Sequence, residues 1–170
     1  LPDGVTDGRL ILDMGETATD IVLTLGTAPR LIRSIPIGFS TLVRMARQNL
    51  NIDEQQARQI LLKFGVSQDK LEGQMARATA AALEQFVIEI QKSVKFFTTK
   101  YTESPVGAIL AGGYTSTLPG LMDSVSSRVG LPVQIATPWQ HVNVPAGMQF
   151  GLAPVSSRLA VAGGLAARLG

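Results

Sequence analysis

Between residues 10 and 37 three short apolar runs are separated by turn-forming residues, the pattern of strands. Residues 10–14 form one short buried run, and residues 19–25 a second with Ile21, Leu23 and Leu25 on one face. The turn sequence "GTAP" follows, and a third run over residues 30–37 places Leu31, Ile35 and Ile37 on a shared face. Three strands so close in sequence predict an antiparallel meander.

The period then changes to that of helices. Leu42, Val43, Ala46 and Leu50 mark a helix over residues 40–50. Asp53 stands three residues before Gln56, a capping-box spacing, and opens a helix that runs to residue 64. Gly65 breaks it. A long helix is predicted over residues 69–101, with Leu83, Val87, Ile90, Val94, Phe97 and Tyr101 on one stripe and a length of roughly 50 Å. Alternation returns afterwards: a strand over 106–110, a helix over 118–129 ending at Gly130, and a short strand at Val133–Ile135. Residues 137–155 read as loop and 156–169 as a small-residue helix. The result is an α/β chain whose sheet is split in sequence: residues 1–37 and 103–170 supply the sheet and its helices, and residues 38–102 a mainly helical insert.

Composition narrows the classes. Hydrophobic residues make up 45% of 170, enough for a sizeable core. A formal charge of +2 gives no reason to expect nucleic acid or an anionic membrane. Absence of cysteine excludes disulfides and thiolate metal sites and fits a reducing compartment. No apolar run approaches the ~20 residues of a membrane span. The start, "LPDGVTDGRL", has neither an initiator Met nor a signal-peptide pattern and reads as part of a longer chain.

Two stretches carry candidate chemistry. In "DMGETATD", Asp13 ends a strand, Gly15 admits close backbone approach, and Thr17 and Thr19 can donate to phosphate oxygens. Asp13 would act on phosphate through Mg²⁺ or its water shell. Glu16 and Asp20 are the neighbouring carboxylates. An ordinary hairpin needs the same turn-forming residues. In "AILAGGYTSTLPGL", a buried strand runs into Gly112 and Gly113, with Thr117 placed to cap the next helix and Pro119 in its first turn. Flat glycine backbone there admits a planar ligand face; equally, the glycines only turn the chain.

Order adds weight. The "DxG" hairpin, helical insert, strand ending in "GG" and closing helix with "AVAGGLA" resemble the second lobe of the ribonuclease H-like, actin-like ATPase fold. Within it, "LILDMGETATDIVL", "RSIPIGFSTLVRMA", "IDEQQARQILLKFGV", "AILAGGYTSTLPGLMDSVSSRVGLPVQIATPW" and "SSRLAVAGGLAARLG" are most similar to the PilM family of type IV pilus assembly proteins, which is FtsA-related. The resemblance implies a second phosphate motif at Asp13, Gly15, Glu16, Thr17, Thr19 and Asp20. It implies an adenosine motif at Gly112, Gly113, Thr115, Ser116 and Gly120, and a helix crossing at Ala162 and Gly163. ATP and Mg²⁺ are the implied ligands of a two-lobed clamp whose first lobe would precede Leu1, and this half alone is expected to hold neither, because only part of the ligand surface would be buried. That lobe would also carry most of the surface for the PilN-type membrane-protein tail.

Two departures stand out. Relatives commonly have Gly-Gly after the third strand, where this chain has Gly38-Phe39. Relatives also tend to carry an "A-E-x-x-K" helix that reaches the ribose, and aligned on Ala57 this chain offers Arg58 and Leu61. A guanidinium only donates and leucine does neither. Nucleotide binding is therefore expected to be weak or vestigial, and Asp53 and Glu54 to serve as helix cap and dipole partner.

The remaining conspicuous residues are expected to be structural. His141 is the only histidine, Trp139 anchors a loop, Phe96 and Phe97 pack in the core, and Arg77, Lys92, Lys95 and Lys100 form a solvated face or, alternatively, line a protein-protein contact. The resemblance implies a cytoplasmic scaffold, peripheral to the inner membrane through its partners, with no nucleic acid and no membrane insertion. An active ATPase or small-molecule kinase of the same superfamily, and an FtsA-like or GspL-like division or secretion protein, are the alternatives.

Overall fold

The computed structural model describes residues 7–136. The expected loop at 137–155 with Trp139 and His141, and the helix at 156–169 with Ala162 and Gly163, lie outside the described residues.

Strands β1 (Gly8–Met14), β2 (Thr19–Leu25) and β3 (Ala28–Ile35) form the expected meander. Helices α1 (Phe39–Leu50), α2 (Glu54–Phe64) and α3 (Gln74–Lys100) follow. The chain then re-enters the sheet as β4 (Val106–Gly113), makes a one-turn helix α4 (Tyr114–Thr117) and a helix α5 (Leu121–Val129), and ends in β5 (Val133–Ile135). The sheet order is β3-β2-β1-β4-β5. The β1-β2 and β2-β3 pairs are antiparallel, and β1-β4 and β4-β5 are parallel. Strand β1 is central and pairs on both sides, so its last residues lie between a hairpin and a parallel crossover.

Alternation decides which face is covered. Leu10, Leu12 and Met14 of β1 and Ile21 and Leu23 of β2 are fully buried. Each contributes roughly 1.5–3 kcal/mol relative to exposure. They form one apolar cluster with Phe39, Leu42 and Val43 of α1, Leu61 of α2, Phe86, Ile90 and Phe97 of α3, and Val125 of α5. Cross-links fix the helices further. Arg33 of β3 donates to Glu89 at 2.7 Å and to Ser93 at 3.0 Å on α3, and Asn49 of α1 donates to the Ala78 carbonyl at 2.7 Å. Asp53 caps α2 by accepting from the Gln56 amide at 2.8 Å, and the Asp53 amide donates back to the Gln56 side chain at 3.2 Å.

Several boundaries depart from expectation for identifiable reasons. Strand β3 ends at Ile35 because Pro36 has no N–H for the ladder. Its own Pro29 sits opposite Thr24 at a register irregularity, tolerated on an edge strand. The long helix starts at Gln74, after a 3₁₀ turn at Leu71–Gly73 in which Leu71 and Glu72 adopt positive φ. Its 27 residues span about 40 Å. The predicted helix over 118–129 is two pieces. Leu118 precedes Pro119 and takes an extended ψ of 118°, which stops the turn begun at Tyr114. Thr117 therefore ends α4, and α5 starts from Gly120 with no side-chain cap. Phe96 is 53% exposed, one position around the helix from the buried Phe97.

Candidate functional site: the hairpin cleft

The β1-β2 turn and the end of β4 meet at one rim of the sheet. Gly15 N–H donates to the Ala18 carbonyl at 2.8 Å and closes the hairpin. Asp13 faces Asp20 across the antiparallel pair and Gly112 across the parallel one; Met14 pairs with Gly113. Gly113 has φ 57° and ψ −140°, a conformation open in practice to glycine alone. A Cβ there would lie 2.3 Å from the Met14 carbonyl oxygen and 2.5 Å from Asp13 Oδ1. Two segments a hundred residues apart thus converge with no room for a side chain between them. Burial, and secondarily the Asp20 carboxylate, push the Asp13 carboxyl above its ordinary range.

Beside this junction lies a cleft of about 470 Å³ lined by Asp13, Glu16, Thr17, Asp20, Gly113 and Tyr114 among others. The start of α1 is held to the same hairpin: Phe39 and Ser40 N–H groups donate to the Gly15 and Glu16 carbonyls at 3.1 and 2.8 Å. Gly38 lies so close that a Cβ would sit 2.6 Å from three hairpin backbone atoms.

Of the predicted phosphate residues, Asp13, Gly15, Glu16, Thr17 and Asp20 lie together on this cleft. Thr19 does not. It is fully buried and its hydroxyl donates to the Ile37 carbonyl at 2.6 Å, so it ties β2 to the β3-α1 connection. The adenosine set divides likewise. Gly113 lines the cleft, and Gly112 is paired to Asp13 beneath it. Thr115 is buried and lies off the cleft surface, and the Ser116 hydroxyl donates to the Gly113 carbonyl at 2.8 Å. Gly120 lines a separate groove of about 700 Å³ between α3, α5 and the 66–69 loop. Its α-carbon faces Ser67, and a Cβ would meet Ser67 backbone at 2.8 Å.

Three residues at the cleft rim were not predicted to act together. Arg58 forks onto Glu16 at 2.6 and 3.1 Å, Tyr114 donates to Glu16 at 3.1 Å, and Phe39 stacks on Tyr114. Phe39 and Arg58 stood out in the sequence as substitutions, but nothing local linked either to Glu16.

No group of three or more metal-ligating side chains occurs among the described residues. The donor set nonetheless suits Mg²⁺ bound mainly through water and phosphate, which needs a single carboxylate such as Asp13. A divalent cation would also relieve the crowding that raises Asp13. No described helix is long and apolar enough to cross a membrane.

Sheet order, hairpin and glycine bend define a lobe of the actin-like ATPase fold. The solved PilM-PilN type IV pilus biogenesis complex is similar over 95% of this chain and 46% of that one, with 24% identity and a TM-score of 0.79. The ethanolamine utilization protein EutJ from Carboxydothermus hydrogenoformans matches at 18% identity and a TM-score of 0.66, over 96% of this chain and 49% of that one. MreB5 of Spiroplasma citri, solved bound to AMPPNP, matches at 12% identity and a TM-score of 0.67, over 95% and 53%. The chain therefore spans about half the length of each. The family model for the type IV pilus assembly protein PilM matches residues 75–169, more than half of the chain, and the chain belongs to that family. No curated protein matches it in sequence.

Proposed function

We propose that this chain is one lobe of a nucleotide-responsive scaffold in type IV pilus assembly. Its hairpin cleft would receive the phosphates of ATP. Asp13 would hold Mg²⁺ through water, and Gly15 and Thr17 would approach the phosphate oxygens. Gly112 and Gly113 would lie under the adenine. The ligand acts structurally: bound between two lobes, it favours the closed arrangement in proportion to its preference for that state. Closure then alters affinity for a PilN-type membrane-protein tail, held mainly by the other lobe. Such a scaffold works in the cytoplasm, at the inner membrane through its partners.

The observation that carries this reading is the junction of the Asp13 hairpin with Gly113 in a chain of this family. The PilN complex of one structural neighbour and the AMPPNP of another support the two ligand classes. Arg58 and Leu61 stand where relatives carry the ribose-binding pair, so affinity is expected to be modest.

The test uses the longest natural chain that carries this sequence. Calorimetry with MgATP, then with a synthetic PilN-type tail in the presence and absence of MgATP, should give binding of both and a changed tail affinity with nucleotide. Asp13→Ala should weaken nucleotide binding and leave tail binding in the absence of nucleotide intact. Equal tail affinity with and without saturating nucleotide would remove the coupling. Turnover in the ordinary enzyme range of ~1–10³ s⁻¹ would make the protein an ATPase instead.

A further inference from the structure

Four side chains from four separate elements close a ring at the rim of the cleft. Arg58 of α2 donates to both carboxylate oxygens of Glu16, at 2.6 and 3.1 Å. The Tyr114 hydroxyl of α4 donates to Glu16 Oε2 at 3.1 Å. The Tyr114 ring stacks on Phe39 of α1, with centroids 4.3 Å apart and planes inclined by 15°. The Arg58 guanidinium lies over the Phe39 ring, 5.0 Å from its centroid, which returns the circuit to its start.

We infer that this ring is a built-in latch, which holds α1, α2 and α4 to the β1-β2 hairpin and orders that side of the cleft without a bound ligand. The residue types suit the task. A guanidinium is planar, charged at every accessible pH, and able to fork onto a carboxylate while stacking on an aromatic face. Lysine would keep the charge but has neither the planar fork nor a flat face to stack. Side chains of Arg58 and Glu16 are 33% and 44% exposed, so an isolated pair would contribute little. Here the pair is not isolated. Phe39 is fully buried and Tyr114 is 8% exposed, so the guanidinium rests against an immobile ring and one oxygen of the carboxylate is held by an immobile hydroxyl. Hydrogen-bond networks can be worth more than the sum of their pairs. The backbone runs in parallel: the Phe39 and Ser40 amides reach the Gly15 and Glu16 carbonyls, so the latch and these two bonds span the same gap.

A nucleotide would then find this rim already assembled. Its binding would be felt in the approach of the two lobes and scarcely in the hairpin. That last statement rests on the nucleotide reading above; the latch itself does not.

Residue-resolved hydrogen exchange on the longest natural chain tests it, first without nucleotide. The reporting amides are Gly15, Phe39 and Ser40, all bonded across or within the hairpin. Arg58→Ala should speed their exchange together by about three- to tenfold, the range for losing a networked surface ion pair. Arg58→Lys should show most of that increase, and Tyr114→Phe a smaller one in the same direction. Amides of β1 paired with β4 should not change, which also confirms folding; if Arg58→Ala does not fold, the other two variants carry the comparison. Unchanged exchange at the three amides, or full restoration by lysine, would overturn the latch. Saturating MgATP should alter wild-type exchange there by less than about twofold, and protection above about tenfold would assign the ordering to the ligand. Failure of MgATP to bind by calorimetry would sink the nucleotide reading and leave the comparison of variants standing.

Discussion

Replacing Gly113 by alanine tests the junction on which the site depends. Two costs combine. The dihedral cost comes from φ 57° and ψ −140°, where a non-glycine residue loses about 1–3 kcal/mol. The steric cost comes from a Cβ placed 2.3 Å from the Met14 carbonyl oxygen and 2.5 Å from Asp13 Oδ1. The Asp13 oxygen can swing away, but Met14 O belongs to a paired strand and moves only with its backbone. Overpacking of that sort costs about 1–3 kcal/mol. The sum is about 4 kcal/mol. Gly130 is the control. It also has positive φ, 75°, but nothing lies within 4 Å of its hypothetical Cβ, so Gly130→Ala should lose only about 1–2 kcal/mol. Urea denaturation of the two variants and wild type, analysed by linear extrapolation, separates them. In melting temperature each kcal/mol is worth about 2–4 °C for a domain of this size. Asp13→Ala added to Gly113→Ala should recover little, because Met14 O remains. A Gly113→Ala loss no larger than that of Gly130→Ala would refute the close approach, and with it the convergence of hairpin and glycine bend.

Other outcomes follow from single contacts. Thr19→Val removes the donor to the Ile37 carbonyl and should cost about 1–2 kcal/mol in urea denaturation, with MgATP affinity unchanged. Asp13→Asn should raise the melting temperature at neutral pH, since burial and Asp20 hold the wild-type carboxyl above its ordinary 3.8. Because the folded state binds that proton more readily, wild-type stability rises as pH falls through the raised value toward 3.8, so the advantage of the variant should shrink over that window and vanish below it. Glu89 is shifted the other way, by Lys92 first and Arg33 second. Its stabilising contribution is present above 4.5 and lost as pH falls through the depressed value, and Arg33→Ala should remove part of it at a cost of roughly 1 kcal/mol, discounted for the exposed guanidinium.

Much of the architecture was legible because period and punctuation agree. The meander, the capped α2 and the α3 stripe all come from residues whose local preference matches their final burial. Misreadings came where a local signal met a non-local constraint. Thr117 and Pro119 look like a helix start, yet Leu118 is pushed to an extended conformation by the proline, and the helix begins only after it. Thr19 looks like a phosphate donor on a turn, but its place in β2 turns the hydroxyl inward to Ile37. The cleft was half readable. Asp13 and Gly113 carry recognisable spacing in strands that pair directly. The Arg58 and Tyr114 contacts to Glu16, and the Phe39 stack on Tyr114, join positions up to 98 residues apart and leave no periodic trace.

Gly65 and Gly120 are held as glycine by packing between two turns. A side chain on Gly65 would strike Pro119 backbone, one on Gly120 would strike Ser67 backbone, and the Val66 amide donates to the Pro119 carbonyl at 2.9 Å between them. Selection for mere foldability is enough to keep both positions glycine. Relatives that bind no nucleotide should therefore still keep glycine at the position of Gly120, and its persistence is testimony to two touching turns, with no bearing on what the cleft holds.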